Sequence, residues 1–210
     1  MPDILFVLDT ETTGFPSHAP DCPTRPVQWG CVALDGTSLE TVGEIEILLC
    51  PDVWAPSAKY AEKIHGISRD RATKEGYPMR PGWERMDSWL RAQQGKNPES
   101  IPYFMAWNAP FDRPIMDLWA DAAFGQERVR SSPWPDWTRG RNVAKGGCLL
   151  ALYREYIKTF GLAEKVGGSL DRALSFVGLE SRKAGQVHGA LQDAHCAANV
   201  LREIIHRSET

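Results

Sequence analysis

The chain opens on an apolar run, Ile4-Leu5-Phe6-Val7-Leu8, that ends in two carboxylates, Asp9 and Glu11. A continuous apolar stretch rich in strand formers predicts a buried strand. Side chains alternate along a strand, so residues two apart point the same way and Asp9 and Glu11 share a face. Two carboxylates at the exit of a hydrophobic strand repel each other, and one is driven toward protonation unless a cation lies between them. Alone, the pair allows two readings. It is a polar strand end feeding a turn that Thr12 and Thr13 cap, or it is half of a cation site.

The rest of the chain limits what that strand belongs to. Its 210 residues fit one domain, residues 1–210 with a core over 3–205. A chain this long buries about 70% of its unfolded surface and needs neither metal nor disulfide to fold. Hydrophobic residues at 42% and charged residues at 24% exclude a fully disordered chain. No apolar run approaches the ~20 residues of a membrane span. Met1-Pro2-Asp3 puts an acid where a secretory signal carries basic residues. The expectation is a cytoplasmic protein with no membrane contact. Cys22, Cys31, Cys50, Cys148 and Cys196 are scattered, odd in number and form no Cys-x-x-Cys pair, which argues against structural zinc or a disulfide framework. The net charge of −3 is unlike a protein that coats nucleic acid, but an enzyme holding cations with carboxylates is acidic where it works. Most of the eight tryptophans are expected in the core or at an interface.

Further strands are expected over residues 27–34, 42–49 and 101–107, with a turn at Asp35-Gly36 longer than two residues. Helices are expected over 56–65, capped by Gly66, and over 83–93. Others run from near Pro114 to 124, over 148–159 and over 170–177. In a long last helix Ala190, Ala194, Ala197, Leu201 and Ile204 trace one face. A turn falls at 95–100. Irregular loops fall at 15–26 and 125–147, the second basic and holding Trp134 and Trp137. Strands first, then strands alternating with helices, predict an α/β fold: a mixed sheet of about five strands flanked by helices.

Three more groups stand beside Asp9 and Glu11. Asp112 follows Asn108-Ala109-Pro110-Phe111 at a helix start, where an acid also complements the helix dipole. Asp193 lies in the first turns of the last helix, with the same electrostatic alternative. His188 precedes Asp193 by five residues, ahead of Gly189 and outside that helix, where a plain surface loop is the other reading.

Taken together, Leu8-Asp9-Thr10-Glu11-Thr12-Thr13-Gly14, Asn108-Ala109-Pro110-Phe111-Asp112 and His188-Gly189-Ala190-Leu191-Gln192-Asp193-Ala194 resemble the motifs of the DEDD exonucleases of the ribonuclease H-like fold. Ile64-His65-Gly66-Ile67-Ser68 resembles the His-Gly-Ile-Thr/Ser stretch of relatives of the bacterial DNA polymerase III epsilon proofreading subunit. A histidine at 188, with glycine at 189 where another subclass carries tyrosine, is similar to the DEDDh subclass. Trp107 departs from the family, many of whose members carry histidine before the asparagine.

The resemblance implies a metal-dependent 3′→5′ exonuclease releasing nucleoside 5′-monophosphates. By the family pattern Asp9, Glu11, Asp112 and Asp193 hold two divalent cations, Mg²⁺ or Mn²⁺, and His188 takes the proton of the attacking water. An imidazole suits that role because it titrates near neutral pH. Thr12, Thr13, Asn108 and His65 are the implied substrate contacts; His18, His195 and His206 read as surface or packing residues. The expected partner is nucleic acid with a free 3′ end, single-stranded DNA before RNA, with a DNA polymerase as a candidate associate. A ribonuclease T-like or oligoribonuclease-like exoribonuclease is the alternative in the same class. A non-catalytic polymerase- or nucleic-acid-binding module is the alternative in another, and loss of an acid or of the base would mark it.

Overall fold

In the computed structural model the described residues are 4–15, 24–94, 103–125, 147–161, 168–181 and 186–209. Three long strands make the frame: β1 (Ile4–Thr12), β2 (Pro26–Asp35) and β3 (Thr41–Cys50). β1 continues past the apolar run because its polar end keeps pairing with β2, Asp9 opposite Gly30 and Glu11 opposite Gln28. Both β1–β2 and β2–β3 are antiparallel. At the β2–β3 turn, Asp35 Oδ1 accepts the N–H groups of Thr37 (2.9 Å) and Ser38 (2.7 Å), so the loop is longer than two residues, as the sequence predicts. The two-residue β4 (Tyr77–Pro78) runs parallel to the end of β3, and β5 (Tyr103–Ala106) runs parallel to β1. The order is β4-β3-β2-β1-β5, a mixed five-stranded sheet, and a single parallel bridge joins Ala106 to Cys148.

The helices are α1 (Ala58–His65), α2 (Arg69–Glu75), α3 (Met79–Gln93), α4 (Ala109–Phe124), α5 (Leu149–Thr159), α6 (Leu170–Phe176) and α7 (Ala190–Glu209). They cover both faces of the sheet. Phe6, Leu8, Trp29 and Ile47 pack with Trp83, Met86, Met116 and Trp119 of α3 and α4. Val7, Val32 and Leu34 pack with residues of α5, α6 and α7, including Ala194, Ala197, Leu201 and Ile204 from the predicted apolar stripe. Trp29, Trp83, Trp107 and Trp119 are buried, as expected for most tryptophans; Trp134 and Trp137 lie outside the described residues. Alternation along β1 sends Asp9 and Glu11 to the side of Val7 and α7, and Thr10 to the side of Leu8 and α4.

Two predicted boundaries move. α4 starts at Ala109 rather than near Pro114, with Pro110 in its first turn and Pro114 inside the helix. The only intrahelical bond Pro114 forgoes is to the carbonyl of Pro110, so the helix begins as soon as β5 ends. α3 starts four residues before the Trp83 stripe. α2 carries no apolar stripe to announce it. Its signal is Ser68, whose hydroxyl caps the helix by accepting from Arg71 N–H at 3.1 Å. The 95–100 turn, residues 16–23 of one expected loop and 126–146 of the other lie outside the described residues. Among the described residues no helix is long and apolar enough to cross a membrane.

Candidate active site

The C-terminal end of β1 delivers Asp9 and Glu11, and β2 prepares the place for what meets them. Gly30, opposite Asp9, lies under the start of α7: a Cβ there would sit 2.1 Å from the Leu191 backbone nitrogen. Only glycine permits that approach. Gln28, opposite Glu11, is buried, and its Oε1 accepts the Ala190 N–H at 3.0 Å. That bond satisfies one of the donors a helix leaves unpaired at its N-terminus. β2 therefore docks the first turn of α7 over the two acids. Glu11, His188 and Asp193 each present a ligand atom within 4.8 Å of the others.

His188 stands just outside α7, whose first bond runs from Asp193 N–H to the Gly189 carbonyl at 2.9 Å. Its backbone N–H donates to Ile64 O at 3.0 Å, which ties the loop to the end of α1. Its Nδ1 lies 3.2 Å from Asp193 Oδ2, with the imidazole 38% exposed beside a carboxylate 9% exposed.

Asp112 enters from the first turn of α4. Thr10 Oγ1 donates to its Oδ1 at 2.8 Å, as the opposite facing of Thr10 allows. Burial pushes the Asp112 carboxyl up to about 7; the hydrogen bonds from Thr10 pull it down, and the negative charge of Asp193 adds to the rise. Burial thus favours the protonated form of Asp112, the most buried of the acids. A carboxylate-rich donor set of this kind fits hard divalent cations, which take oxygen ligands.

These groups share one cleft of about 350 Å³, whose floor includes Asp9, Thr10, Glu11, His188 and Asp193. Asn108 and Thr12 stand at its rim; Asn108 precedes α4 without capping it. One wall is apolar: Phe15, Tyr60, Ile64 and Phe111 line it, with Phe15 76% and Tyr60 62% exposed. His65 also borders the cleft, but it is buried and both its nitrogens are bonded within the fold. Thr13 stands behind the cleft. Its N–H donates to Arg25 O at 2.9 Å and its Oγ1 accepts from Arg25 N at 3.0 Å. The structure thus gathers Asp9, Glu11, Asp193, His188, Thr12, Asn108 and His65 around the cleft, sets Asp112 beneath it, and leaves Thr13 out. His195 points elsewhere, to Glu44 at 2.8 Å, and His206 is exposed.

Gln28 and Gly30 belong to no motif read from the sequence, and Thr10 lies in one without an assigned role, yet all three hold the site together. A lone amide and a glycine inside an apolar strand were the available signals. The aromatic wall had one too: Tyr60 and Ile64 are a helical turn apart on α1.

No family model matches this sequence, and no curated protein sequence does. Solved structures resemble it. The nuclease domain of 3′hExo, a DEDDh family member bound to rAMP, has a TM-score of 0.68 at 12% identity over 98% of this chain and 93% of that one. Cell-death related nuclease 4 has 0.68 at 17% identity, over 98% of this chain and 64% of its own. The zinc-bound complex of E. coli exonuclease I with single-stranded DNA has 0.69 at 16% identity, over 99% of this chain and 41% of its own. The chain therefore spans less than two thirds of the last two proteins. At these identities the likeness is one of fold: the chain has the ribonuclease H-like α/β fold of DEDDh 3′ exonucleases.

Proposed function

We propose that this chain is a metal-dependent 3′→5′ exonuclease that hydrolyses single-stranded DNA from its 3′ end and releases nucleoside 5′-monophosphates. One observation carries the reading. The end of β1, and the first turn of α7 with the loop before it, set Asp9, Glu11, Asp193 and His188 on one cleft, with Asp112 of α4 beneath it, on a fold shared with such enzymes. Loss of one of the five would mark a non-catalytic module, and all five residues are present in the sequence.

Asp9, Glu11, Asp112 and Asp193 would hold two divalent cations, Mg²⁺ or Mn²⁺. When bound, these supply charge neutralisation for the attacking and leaving oxygens of a phosphodiester. The chain's own groups do the rest. Thr10 holds the Asp112 carboxyl in place through its hydroxyl. With its Nδ1 turned to Asp193 Oδ2 at 3.2 Å, His188 is left to use Nε2, and that atom would take the proton of the attacking water. Thr12 and Asn108 meet the terminal sugar at the rim. The wall of Phe15, Tyr60, Ile64 and Phe111 offers an apolar surface with aromatic rings on which terminal bases of any sequence would stack. The likeness of Ile64-His65-Gly66-Ile67-Ser68 to the epsilon-type stretch supports proofreading beside a DNA polymerase as the setting.

The test is digestion of 5′-labelled and 3′-labelled single-stranded DNA and RNA with Mg²⁺ or Mn²⁺. The 3′ label should leave at once as a mononucleotide, while the 5′ label shortens stepwise, faster on DNA. Internal cuts, release from the 5′ end, or hydrolysis that persists in chelator would overturn the reading.

A further inference from the structure

We infer that His65 is a positioning residue of this centre: a neutral imidazole in one fixed tautomer that clamps the end of α1 to the carbonyl of Thr12. The inference rests on the exonuclease reading above and adds how the strand end and the base loop are held in register.

The geometry begins at Gly66. Its backbone is left-handed, φ 69°, which stops α1 and turns the chain back. That turn brings the Ile67 N–H onto His65 Nδ1 at 3.0 Å. A ring nitrogen that accepts a hydrogen bond carries no proton, so the neutral ring bears its hydrogen on Nε2. Nε2 lies 3.2 Å from the Thr12 carbonyl, an atom that only accepts, so the tautomer required at one end serves the other. Burial holds the imidazole below its ordinary protonation range, which favours this neutral form. With both nitrogens engaged, the ring has no polar atom left to grip a substrate.

What the clamp joins is the site itself. Thr12 is the last residue of β1, next to Glu11, and its hydroxyl donates to Gly14 O at 2.6 Å, shaping the cleft rim. One residue before His65, the Ile64 carbonyl accepts the His188 N–H at 3.0 Å. Gly66 faces Val187 so closely that a Cβ would come within 3.2 Å of its methyl group. Residues 64–66 therefore tie the acid-bearing strand end to the loop that carries His188. Losing the imidazole shifts the rim directly and His188 through Ile64. A misplacement of about 1 Å can cost a catalyst about 10²-fold.

Three substitutions separate the two bonds. His65→Ala removes both. His65→Gln sets an amide N–H donor near the place of Nε2. His65→Asn sets an acceptor near the place of Nδ1. Steady-state rates on end-labelled single-stranded DNA, Mn²⁺ affinity by calorimetry, thermal melts and ¹⁵N NMR of the ring in the wild type read the outcome. The wild-type ring should show the Nε2–H tautomer. His65→Ala should lower kcat about 10²-fold, with KM and Mn²⁺ affinity close to wild type. His65→Gln should recover most of that loss and His65→Asn little. If His65→Ala melts below the assay temperature, the contrast of Gln with Asn decides. A ring that is charged or protonated on Nδ1 at neutral pH, an unaffected kcat in His65→Ala, or equal recovery by Asn and Gln would overturn the inference. A wild type that degrades no strand would overturn the exonuclease reading instead, and the ring tautomer would still decide whether the clamp exists.

Discussion

On the floor of the cleft Glu11 and Asp193 are only 8% and 7% exposed, and Asp112 beneath it 2%; on its wall, Phe15 and Tyr60 are 76% and 62% exposed. The floor is fixed from behind: Thr10 bonds Asp112, Gln28 and Gly30 seat α7, and Asp193 faces the His188 ring. The wall is made of Tyr60 and Ile64 on α1, Phe15 on the loop after β1 and the half-buried Phe111 on α4. Buried, cross-bonded groups keep their geometry and suit bond breaking, where small displacements are costly. Exposed aromatic faces are sequence-tolerant and suit holding a chain end. Substitutions on the floor should therefore act on kcat, and substitutions on the wall on KM.

The sharpest break in that contrast is Asp9→Ala. It should lower turnover by several orders of magnitude while the thermal melt shows a folded protein that still binds a strand end. Near wild-type turnover would move the site elsewhere. His188→Ala comes next, with a loss of roughly 10²–10⁴-fold, the usual worth of general-base help. On the wall, Tyr60→Ala should raise KM about ten-fold, within the range of one lost base stack, and leave kcat nearly unchanged. A fall in kcat equal to that of a floor variant would erase the distinction.

The smallest effect is one of stability and has the opposite sign. The Asp112 carboxyl is raised by burial from its ordinary 3.8, so between that value and about 7 the folded protein binds more protons than the unfolded chain. Without metal, its stability falls as pH rises through that window. Asp112→Asn should remove this slope and melt several degrees higher than wild type at neutral pH in chelator, while losing activity. About 1 kcal/mol moves the melt of a chain this size by about 2–4 °C. Melts that fall with pH just as steeply in Asp112→Asn would assign the slope to another group.

The floor was legible in the sequence because its signals are local. An apolar strand that runs into Asp9 and Glu11, and acids in the first turns of α4 and α7, announce themselves within a few residues. What supports the floor was not legible, because it depends on contacts between distant segments. Gln28 bonds Ala190 across 162 positions and Thr10 bonds Asp112 across 102. Thr13 belongs to the first motif, yet its N–H and Oγ1 are both bonded to the backbone of Arg25 and it does not line the cleft. Proline in a first-turn context misled the start of α4, because Pro110 as well as Pro114 suits an early helix position. The wall went unread because aromatics scattered over a loop, a short helix and the start of α4 look like ordinary surface until the cleft beside them is seen.

The division of labour on the floor, acids as ligands and His188 as base, is tested most directly by Mn²⁺ binding to the wild type, His188→Ala and Asp193→Ala, measured side by side by titration calorimetry. His188→Ala should bind Mn²⁺ nearly as tightly as wild type, and Asp193→Ala should lose most of that affinity. Equal loss in the two variants would make His188 a ligand and contradict the assignment.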